Sequence, residues 1–346
     1  MAVKKLTIMS QLPVNNGGQV IDDQVGDLSL EWFFDKELSP EALLEIAPEV
    51  DVVTGVGHGD MKPWGLHRFP NLKALLLVST GYESVTPDMI PDGCLVANTF
   101  EHEKPIADWV IMAMLMLSRE AIKTDRTFRD KSISIVGTGF PKHLDMEDAT
   151  LGVIGLGRIS KRVVELANAH GVRCVAAMRT PMSDDEAREA GIDAVFGMGQ
   201  LNEMLGMCDF VLPTVPLNDS TIGLIGADEY AAMKDGSYII NVARGEILDE
   251  QATYEALVSG KLGGAALDVW WIDDQLGLMT DDPERRRWAD CPFWELENVL
   301  MSPHFSNFTS LTVPRKTRFI ASQLVRLAEG KPLENVIPEL SKASND

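Results

Sequence analysis

Short apolar runs alternate with amphipathic stretches along most of the chain, a pattern typical of parallel α/β proteins, in which strands are buried on both faces. Nine apolar runs predict strands, at residues 6–9, 52–56, 75–78, 151–154, 172–178, 210–212, 238–242, 265–270 and 299–301. The pattern therefore predicts two α/β units with a cleft between them.

Helix signals separate these runs. Pro105 opens the apolar segment 106–117, and proline suits the first turn of a helix. Further helices are predicted over 249–259 and 314–329, and Gly330 is typical of a helix stop. Residues 121–147 are polar and include a G-T-G-F-P-K turn, so we expect an irregular crossing from one domain to the other.

Residues 151–180 combine a strand, a glycine turn, a helix and a second strand. Gly155 permits a sharp turn, and Gly157 lets a pyrophosphate approach the backbone. The free N–H groups and the dipole of the helix that begins there favour phosphate charge. Ser160 replaces the usual third glycine but is small enough for close helix–strand packing. We interpret this unit as a Rossmann-like dinucleotide site, with an ordinary glycine turn as the alternative.

Composition narrows the class of protein. The 346 residues suggest about two domains, and 45% hydrophobic with 24% charged residues is ordinary for a soluble globular protein. A formal net charge of −21 argues against nucleic acid or an anionic membrane as partner. An anionic substrate therefore needs a local cationic site.

Cysteine usage and the N-terminus predict a cytoplasmic protein. Cys94, Cys174, Cys208 and Cys291 are far apart and form no C-x-x-C, which favours reduced thiols over a disulfide framework or a zinc site. No run of about twenty apolar residues predicts a transmembrane helix. The N-terminus reads as a first strand rather than a signal peptide.

Three polar residues lie in or beside predicted strands and carry candidate chemistry. Arg244 follows a buried strand, and its guanidinium can hold a carboxylate by two parallel hydrogen bonds. Asp268 lies in an apolar run, where an unpaired charge is costly. His304 follows Pro303 and a short strand and can act as a general acid–base. The alternatives are a surface arginine, a structural cap and a structural histidine. We interpret the five other histidines as structural or surface residues.

The order of these segments resembles the D-isomer-specific 2-hydroxyacid dehydrogenases. The family's G-x-G-x-x-G, N-x-x-R-G, G-G-A-x-L-D-V and P-H motifs all have counterparts here, and residues 217–225 are similar to its P-L-T-x-x-T-x-G-L-I segment. The resemblance covers most of the chain, more loosely in the first hundred residues.

The resemblance implies a role for each matching residue. His304 would protonate the carbonyl oxygen of a 2-keto acid and act as base in reverse, while Arg244 would bind the acid and polarise its carbonyl. Asp273 occupies the position of the usual glutamate and would orient the histidine ring and favour its protonated form. Asp268 would contact the nicotinamide carboxamide. The substrate carboxylate would be bound by Arg244 and by backbone N–H groups at Ser79, Thr80 and Gly81.

The resemblance also implies a discontinuous domain organisation. Residues 1–103, completed by 306–346, would form the substrate domain, and residues 104–305 the dinucleotide-binding domain. Hinge closure would exclude water. The expected cofactor contacts are Gly155, Gly157, Arg158, Ile159, Arg179, Thr180, Thr214, Pro216, Thr221, Val242, Ala243 and Asp268.

The cofactor is predicted from the end of the second strand of this domain, where NAD-preferring members carry Asp or Glu. Here Met178 is followed by Arg179 and Thr180, so no carboxylate repels a 2′-phosphate and Arg179 can pair with it. NADP(H) is therefore favoured, and NAD(H) is an alternative. One of the acids at 184–186 can fold back toward the adenosine, or Arg179 can stack on adenine and accept both cofactors.

Two departures from the family pattern concern the same region. Asp273 is one methylene shorter than glutamate, with Asp274 as a second candidate partner for His304. Residues 275–290 are longer and more charged than usual. This segment either covers the cleft as a lid or presents an arginine to a second acidic group of the substrate. The alternative is a solvated surface loop.

The sequence thus predicts a cytosolic, homodimeric NAD(P)-dependent D-2-hydroxyacid dehydrogenase that reduces a small anionic 2-keto acid, with glyoxylate or hydroxypyruvate as examples by family analogy. One alternative is a formate- or phosphite-type dehydrogenase, although formate enzymes usually carry glutamine at the position of Asp273. The other is a non-catalytic dinucleotide sensor or corepressor. No metal site is expected.

Overall fold

The computed structural model describes residues 5–10, 21–34, 38–55, 66–82, 85–131, 143–180, 182–272 and 288–342. The chain forms two compact units, one made of Met1–Glu101 with Thr309–Asp346 and the other of His102–Phe308. The division of substrate and cofactor binding between a discontinuous domain and a central domain stays a prediction.

Strands and helices alternate through both units. The strands are β1 Lys5–Ser10, β2 Ser29–Phe34, β3 Val52–Thr54, β4 Ala74–Leu76, β5 Leu95–Ala97, β6 Thr150–Ile154, β7 Arg173–Met178, β8 Ala194–Gly197, β9 Phe210–Pro213, β10 Ser237–Asn241, β11 Leu262–Leu267 and β12 Val299–Met301. The helices are α1 Pro40–Ile46, α2 Glu103–Ser118, α3 Ala121–Arg129, α4 Arg158–Ala169, α5 Asp184–Glu189, α6 Leu201–Leu205, α7 Ala227–Ala232, α8 Glu250–Val258 and α9 Thr312–Glu329. Within the described residues, no helix is long and apolar enough to cross a membrane.

The first unit contains a five-stranded parallel sheet in the order β2-β1-β3-β4-β5. Successive residues of a strand point to opposite faces, and here both faces are buried. Ile8 packs in one apolar cluster with residues of α9, while Met9 packs in another on the opposite face. This two-sided burial explains why β1 reads as a continuous apolar run.

The second unit contains a seven-stranded parallel sheet in the order β12-β11-β10-β9-β6-β7-β8. Counted from β6, this is the doubly wound order 3-2-1-4-5-6 with a seventh strand added. The strand order reverses between β6 and β9, and ligands of such sheets bind outside the carboxyl ends of the strands at this point. Helices α2 and α4 cover one face, and α6, α7 and α8 the other.

The structure confirms the prediction of two doubly wound α/β units and corrects several boundaries. β11 ends at Leu267, so Asp268 follows the strand instead of lying inside a strand over 265–270. Helix α3 lies within the segment predicted to be irregular. Its side chains are largely polar and none is buried, so few apolar positions mark this helix in the sequence. The G-T-G-F-P-K turn lies outside the described residues.

All four cysteines are free and buried. Burial raises the pKa of the thiols of Cys94, Cys174 and Cys208 to about 12. The thiolate is the reactive form of cysteine, so burial disfavours reactivity at these three thiols. The four free cysteines agree with the prediction of reduced thiols.

Candidate active site

The predicted site residues of the second unit follow the strands of one parallel sheet, whose carboxyl ends form a single edge. Gly155 follows β6 and Thr214 follows β9, which are neighbouring strands at the switch point. The edge continues with Arg179 after β7, Arg244 after β10, Asp268 after β11 and His304 after β12. The fold thus places residues far apart in sequence along one edge.

The turn after β6 depends on glycine at its first position. Gly155 has φ = 84°, a backbone conformation that side chains rarely adopt. A Cβ atom there would also lie 3.0 Å from Cγ1 of Val215, in the turn that follows β9. Thr214 holds the turns after β6 and β9 close together, since its Oγ1 donates to the carbonyl oxygen of Gly155 at 3.0 Å.

Gly157 precedes α4 and leaves an open space at the start of that helix. None of the described side chains caps this helix end. A Cβ atom at Gly157 would meet no described atom within 4 Å. A helix N-terminus without a side-chain cap, beside an open space at the preceding glycine, suits a bound phosphate. The residues present therefore fit the pyrophosphate of a dinucleotide.

The loop after β9 is closed by its own hydrogen bonds. Thr221 Oγ1 donates to the carbonyl oxygen of Pro216 at 2.7 Å and accepts from the N–H of Asn218 at 2.9 Å. Both predicted cofactor residues of this loop, Pro216 and Thr221, thereby support its shape. Direct contact of either with a cofactor stays a prediction.

The end of β7 carries the residues predicted to select the cofactor. Arg179 and Thr180 are exposed there. Two of the three nearby acids are engaged locally. The carboxylate of Glu186 accepts from the N–H and hydroxyl of Ser183, and Asp185 pairs with Arg188 at 3.1 Å. The alternative of an acid folding back toward the adenosine therefore rests mainly on Asp184.

A buried asparagine shapes the turn that carries Arg244. Asn241 is fully buried, its amide nitrogen donates to the carbonyl oxygen of Arg244 at 2.7 Å, and its amide oxygen accepts from the N–H of Ala243 at 3.0 Å. Gly245 is required next, because a Cβ atom there would overlap the carbonyl group of Trp270. Sequence reasoning gave Asn241 no role, although it is the first residue of the N-x-x-R-G motif.

His304 lies in a turn that is organised around Asp268. Its backbone is left-handed, with φ = 60°. The buried Asp268 carboxylate accepts from Ser302 Oγ at 2.6 Å, from the N–H of Phe305 at 2.8 Å and from the N–H of Ser306 at 3.0 Å. The Asp268 carbonyl oxygen accepts from the N–H of His304 at 2.8 Å. Asp268 therefore caps this turn, and its predicted contact with nicotinamide stays untested.

The turns after β10 and β12 are joined through Asp268. Its N–H donates to the carbonyl oxygen of Asn241 at 3.0 Å, while its carboxylate and carbonyl groups hold the residues around His304. Trp270 adds a further bond, because its Nε1 donates to the carbonyl oxygen of Ser302 at 2.9 Å. The backbones that carry Arg244 and His304 are thus fixed to a common buried group.

The acidic residues predicted as partners of His304 belong to the segment after Ile272. Asp273 and Asp274 lie outside the described residues, as do residues 275–287 of the charged segment. The described residues that flank this segment are hydrogen-bonded to each other, since the N–H of Ile272 donates to the carbonyl oxygen of Trp288 at 3.0 Å.

The predicted carboxylate-binding loop belongs to the other unit. Ser79 Oγ donates to the carbonyl oxygen of Gly81 at 2.8 Å, and Thr80 Oγ1 donates to that of Thr99 at 3.1 Å. The amide of Asn98, which is buried after β5, donates to the carbonyl oxygen of Thr80 at 2.8 Å. Asn98 is a second supporting asparagine for which the sequence gave no signal.

Comparison with known proteins agrees with this arrangement. The family model described as "D-isomer specific 2-hydroxyacid dehydrogenase, NAD binding domain" matches residues 111–306. A glyoxylate reductase of Korarchaeum cryptofilum is 25% identical over 311 residues, covering 88% of each chain. A D-3-phosphoglycerate dehydrogenase of Methanocaldococcus jannaschii is 34% identical over 197 residues, which cover 57% of this chain and 34% of that longer protein.

Among solved structures, a D-isomer specific 2-hydroxyacid dehydrogenase from Xanthobacter autotrophicus Py2, in complex with NADPH and MES, superposes with a TM-score of 0.76. It is 23% identical, and the match covers 98% of this chain and 99% of that one. This likeness shows the fold. With the family match over more than half of the sequence, it follows that the chain belongs to the D-isomer-specific 2-hydroxyacid dehydrogenases, a family of NAD-dependent oxidoreductases that act on the hydroxyl group of 2-hydroxy acids.

Proposed function

We propose that the protein reduces small 2-keto acids to D-2-hydroxy acids and that it prefers NADPH. The observation that carries this proposal is the common edge of the seven-stranded sheet, where the phosphate-binding turn at Gly155, the arginine at 244 and the histidine at 304 all follow strand ends. The reaction class comes from family membership, and the choice of substrate and cofactor comes from individual residues.

His304 is the proposed general acid. When bound, the reduced nicotinamide supplies the hydride. His304 delivers a proton to the carbonyl oxygen as negative charge develops there, and takes it back in the reverse direction. Asp273 is the proposed partner that orients the ring and favours its protonated form. A carboxylate at this position, where formate enzymes usually carry glutamine, supports proton transfer over formate oxidation.

Arg244 is the proposed anchor for the 2-keto acid. Its guanidinium provides a fork of donors that matches a carboxylate in geometry and charge. In a protein with a net charge of −21, such a local cation offsets the unfavourable field that an anionic substrate meets. The backbone N–H groups of Ser79, Thr80 and Gly81 are the proposed second set of carboxylate donors.

NADPH preference is proposed from the end of β7. The strand lacks a terminal carboxylate, the exposed Arg179 follows it directly, and two of the three nearby acids are held by Ser183 and Arg188. The 2′-phosphate of NADPH would then find a cation and little local repulsion. A homodimer in the cytosol is also proposed, the dimer because it is the commonest oligomer.

The substrate side chain is proposed by analogy with the matched relatives, whose names include a glyoxylate reductase. Glyoxylate and hydroxypyruvate are accordingly the first compounds to test. A formate-type dehydrogenase and a non-catalytic dinucleotide sensor are the competing functions, and no described feature favours either.

The test is loss of absorbance at the reduced nicotinamide band, with NADPH and NADH in separate assays across a panel of 2-keto acids, plus formate with oxidised cofactor. Reduction of a 2-keto acid, faster with NADPH, is the expected result. Nucleotide binding without turnover of any 2-keto acid would reject the reductase and leave the sensor. Turnover of formate alone would identify the formate-type enzyme.

A further inference from the structure

We propose that Asp268 is a positioning residue whose buried carboxylate holds the backbone of His304 in the conformation needed for proton transfer. The proposal rests on the proposed role of His304 as general acid. It assigns to Asp268 a function distinct from the nicotinamide contact that family resemblance implies.

The backbone of His304 is in a conformation that requires support. Its φ of 60° lies in the left-handed region, which residues with a Cβ atom adopt rarely and mainly where surrounding structure enforces it. The next residues form a short turn, since the N–H of Phe308 donates to the carbonyl oxygen of Phe305 at 2.9 Å. Histidine lacks the backbone freedom of glycine, so contacts with neighbouring residues must hold His304 in this left-handed conformation.

Asp268 supplies these contacts from both its backbone and its side chain. Its carbonyl oxygen accepts from the N–H of His304, and its carboxylate accepts from the N–H groups of the two residues that follow, Phe305 and Ser306. Three consecutive amides of the turn thus donate to one residue. The hydroxyl of Ser302 is a fourth donor on the other side of the histidine.

Burial makes these bonds effective constraints. Asp268 is 0% exposed, and water cannot replace a lost donor easily at such a position. The shortest of these bonds, 2.6 Å from Ser302 Oγ, lies at the short end of the range for a hydroxyl donor. A buried carboxylate that accepts several hydrogen bonds holds the donating groups in a single arrangement.

The number of hydrogen bonds within the protein limits how many further donors the Asp268 carboxylate can accept from. Two carboxylate oxygens offer about four acceptor sites, and three are used by Ser302, Phe305 and Ser306. A contact with a nicotinamide amide would therefore be a minor addition to bonds within the protein. Because the N–H of Asp268 also donates to Asn241, which holds the Arg244 turn, the residue additionally sets the spacing of the two turns.

The test is a double-mutant cycle of Asp268→Asn and His304→Ala, read as kcat at saturating substrate and as the NADPH dissociation constant. Asparagine keeps the shape but directs an NH2 group at backbone donors. We expect Asp268→Asn to lower kcat by about 10²-fold, the order of loss that a small misplacement of a catalytic group produces. We expect NADPH binding to change less than twofold (about experimental error), and no further loss of kcat in the His304→Ala background.

The control is Asp209→Asn, a substitution that also removes the ion pair of Asp209 with Lys234 at 2.9 Å. The Asp209 carboxylate also accepts from a backbone N–H, that of Thr150 at 2.8 Å, but at the start of β6 and therefore at the opposite edge of the same sheet. Its loss is expected to lower thermal stability while kcat stays unchanged. If Asp268→Asn does not fold, Ser302→Ala replaces it in the cycle, because it removes one donor to the same carboxylate and leaves the charge in place.

Other outcomes overturn the proposal, each in a different way. Weaker NADPH binding, with a loss of kcat that persists in the His304→Ala background, would show that Asp268 acts on the cofactor. Unchanged kcat in both Asp268→Asn and Ser302→Ala would show that the turn keeps its shape without these bonds. If His304→Ala alone retains full turnover, the proposed function of His304 fails as well, and the single variant shows this before the cycle is read.

Discussion

Two turns at the same edge of the seven-stranded sheet are built by opposite means. The turn after β6 gains its shape from glycine at 155, has an open space at Gly157, and leaves the start of α4 without a cap from any described side chain. The turn after β12 places a non-glycine residue, His304, in a left-handed conformation and directs its neighbouring donors to the buried Asp268. We expect the first turn to offer its backbone N–H groups to a ligand, whereas the second turn uses its donors to hold the backbone around His304.

This difference between the two turns matches the different physical requirements of phosphate binding and proton transfer. A phosphate is bound by several backbone N–H groups, so a turn that exposes them binds it without any particular side chain. Proton transfer depends on one side chain at one place, and a small displacement is costly. Substitutions in the first turn should therefore change cofactor affinity, and substitutions in the second should change the rate.

The largest effect is expected for His304→Ala. General acid–base catalysis contributes about 10²–10⁴-fold to rate, and kcat for reduction of the best 2-keto acid should fall by that factor. The dissociation constant of NADPH, measured by fluorescence titration, should stay unchanged because the glycine turn is intact. Comparable losses in affinity and rate would mean that the two turns do not have separate roles.

Arg244→Lys is expected to have the next largest effect. Lysine keeps the positive charge but loses the planar fork that binds a carboxylate by two parallel bonds. The loss of one charge-assisted hydrogen bond, about 1.5–3 kcal/mol, should lower kcat/KM by about 10- to 100-fold. Steady-state kinetics with the best 2-keto acid measure this, and Arg126→Lys, in the exposed pair with Glu297, is the control for the chemical change alone. A variant with wild-type kcat/KM would remove Arg244 from the substrate site.

Gly157→Val tests the first turn alone. The added side chain would occupy the space that we assign to phosphate, so the NADPH dissociation constant should rise by about ten- to a hundredfold, the equivalent of one hydrogen bond to a charged group. Gly199→Val is the matched control, since a Cβ atom there also meets no described atom within 4 Å and Gly199 lies after β8. Equal affinity in the two variants would show that the space at Gly157 holds no ligand group.

The elements that the sequence predicted and those it missed differ in burial. β1 and β6 were predicted because both faces of each strand are covered. The missed strands, β2, β5 and β8, are edge strands of their sheets, and β2 contains no buried residue. The fourth edge strand, β12, is the exception, because it was predicted although only Val299 is buried in it. An edge strand of a parallel sheet is covered less completely, so its apolar signal is weaker. Tertiary position, which local pattern does not reveal, decided these cases.

The candidate site shows the same limit. Arg244, Asp268 and His304 could be selected because a charged or titratable residue beside a buried strand is conspicuous in a sequence. The supporting roles of Asn98 and Asn241 could not, because each holds backbone groups of a turn through its amide. Likewise, the cost of burying Asp268 was evident, but its donors at 302, 305 and 306 lie 34 to 38 residues away along the chain.

The smallest effect is expected for Arg179→Ala. This variant distinguishes overall affinity for the cofactor, assigned to the glycine turn, from the choice between NADPH and NADH. The glycine turn would contact a pyrophosphate that both cofactors share, whereas Arg179, after the neighbouring strand β7, would meet only the 2′-phosphate of NADPH. An exposed charge pair contributes up to about 1 kcal/mol. The ratio of kcat/KM for NADPH to that for NADH should therefore fall about fivefold.

The overall charge must be separated from this local effect. Removing any arginine makes a protein of net charge −21 more negative and disfavours the more highly charged NADPH. Arg129→Ala, in the exposed pair with Asp125 on α3, changes the total by the same amount. A fall in the ratio for Arg179→Ala alone would assign cofactor choice to the end of β7. Equal falls in both variants would assign it to the global field, and unchanged ratios would support an arginine that stacks on adenine and accepts both cofactors.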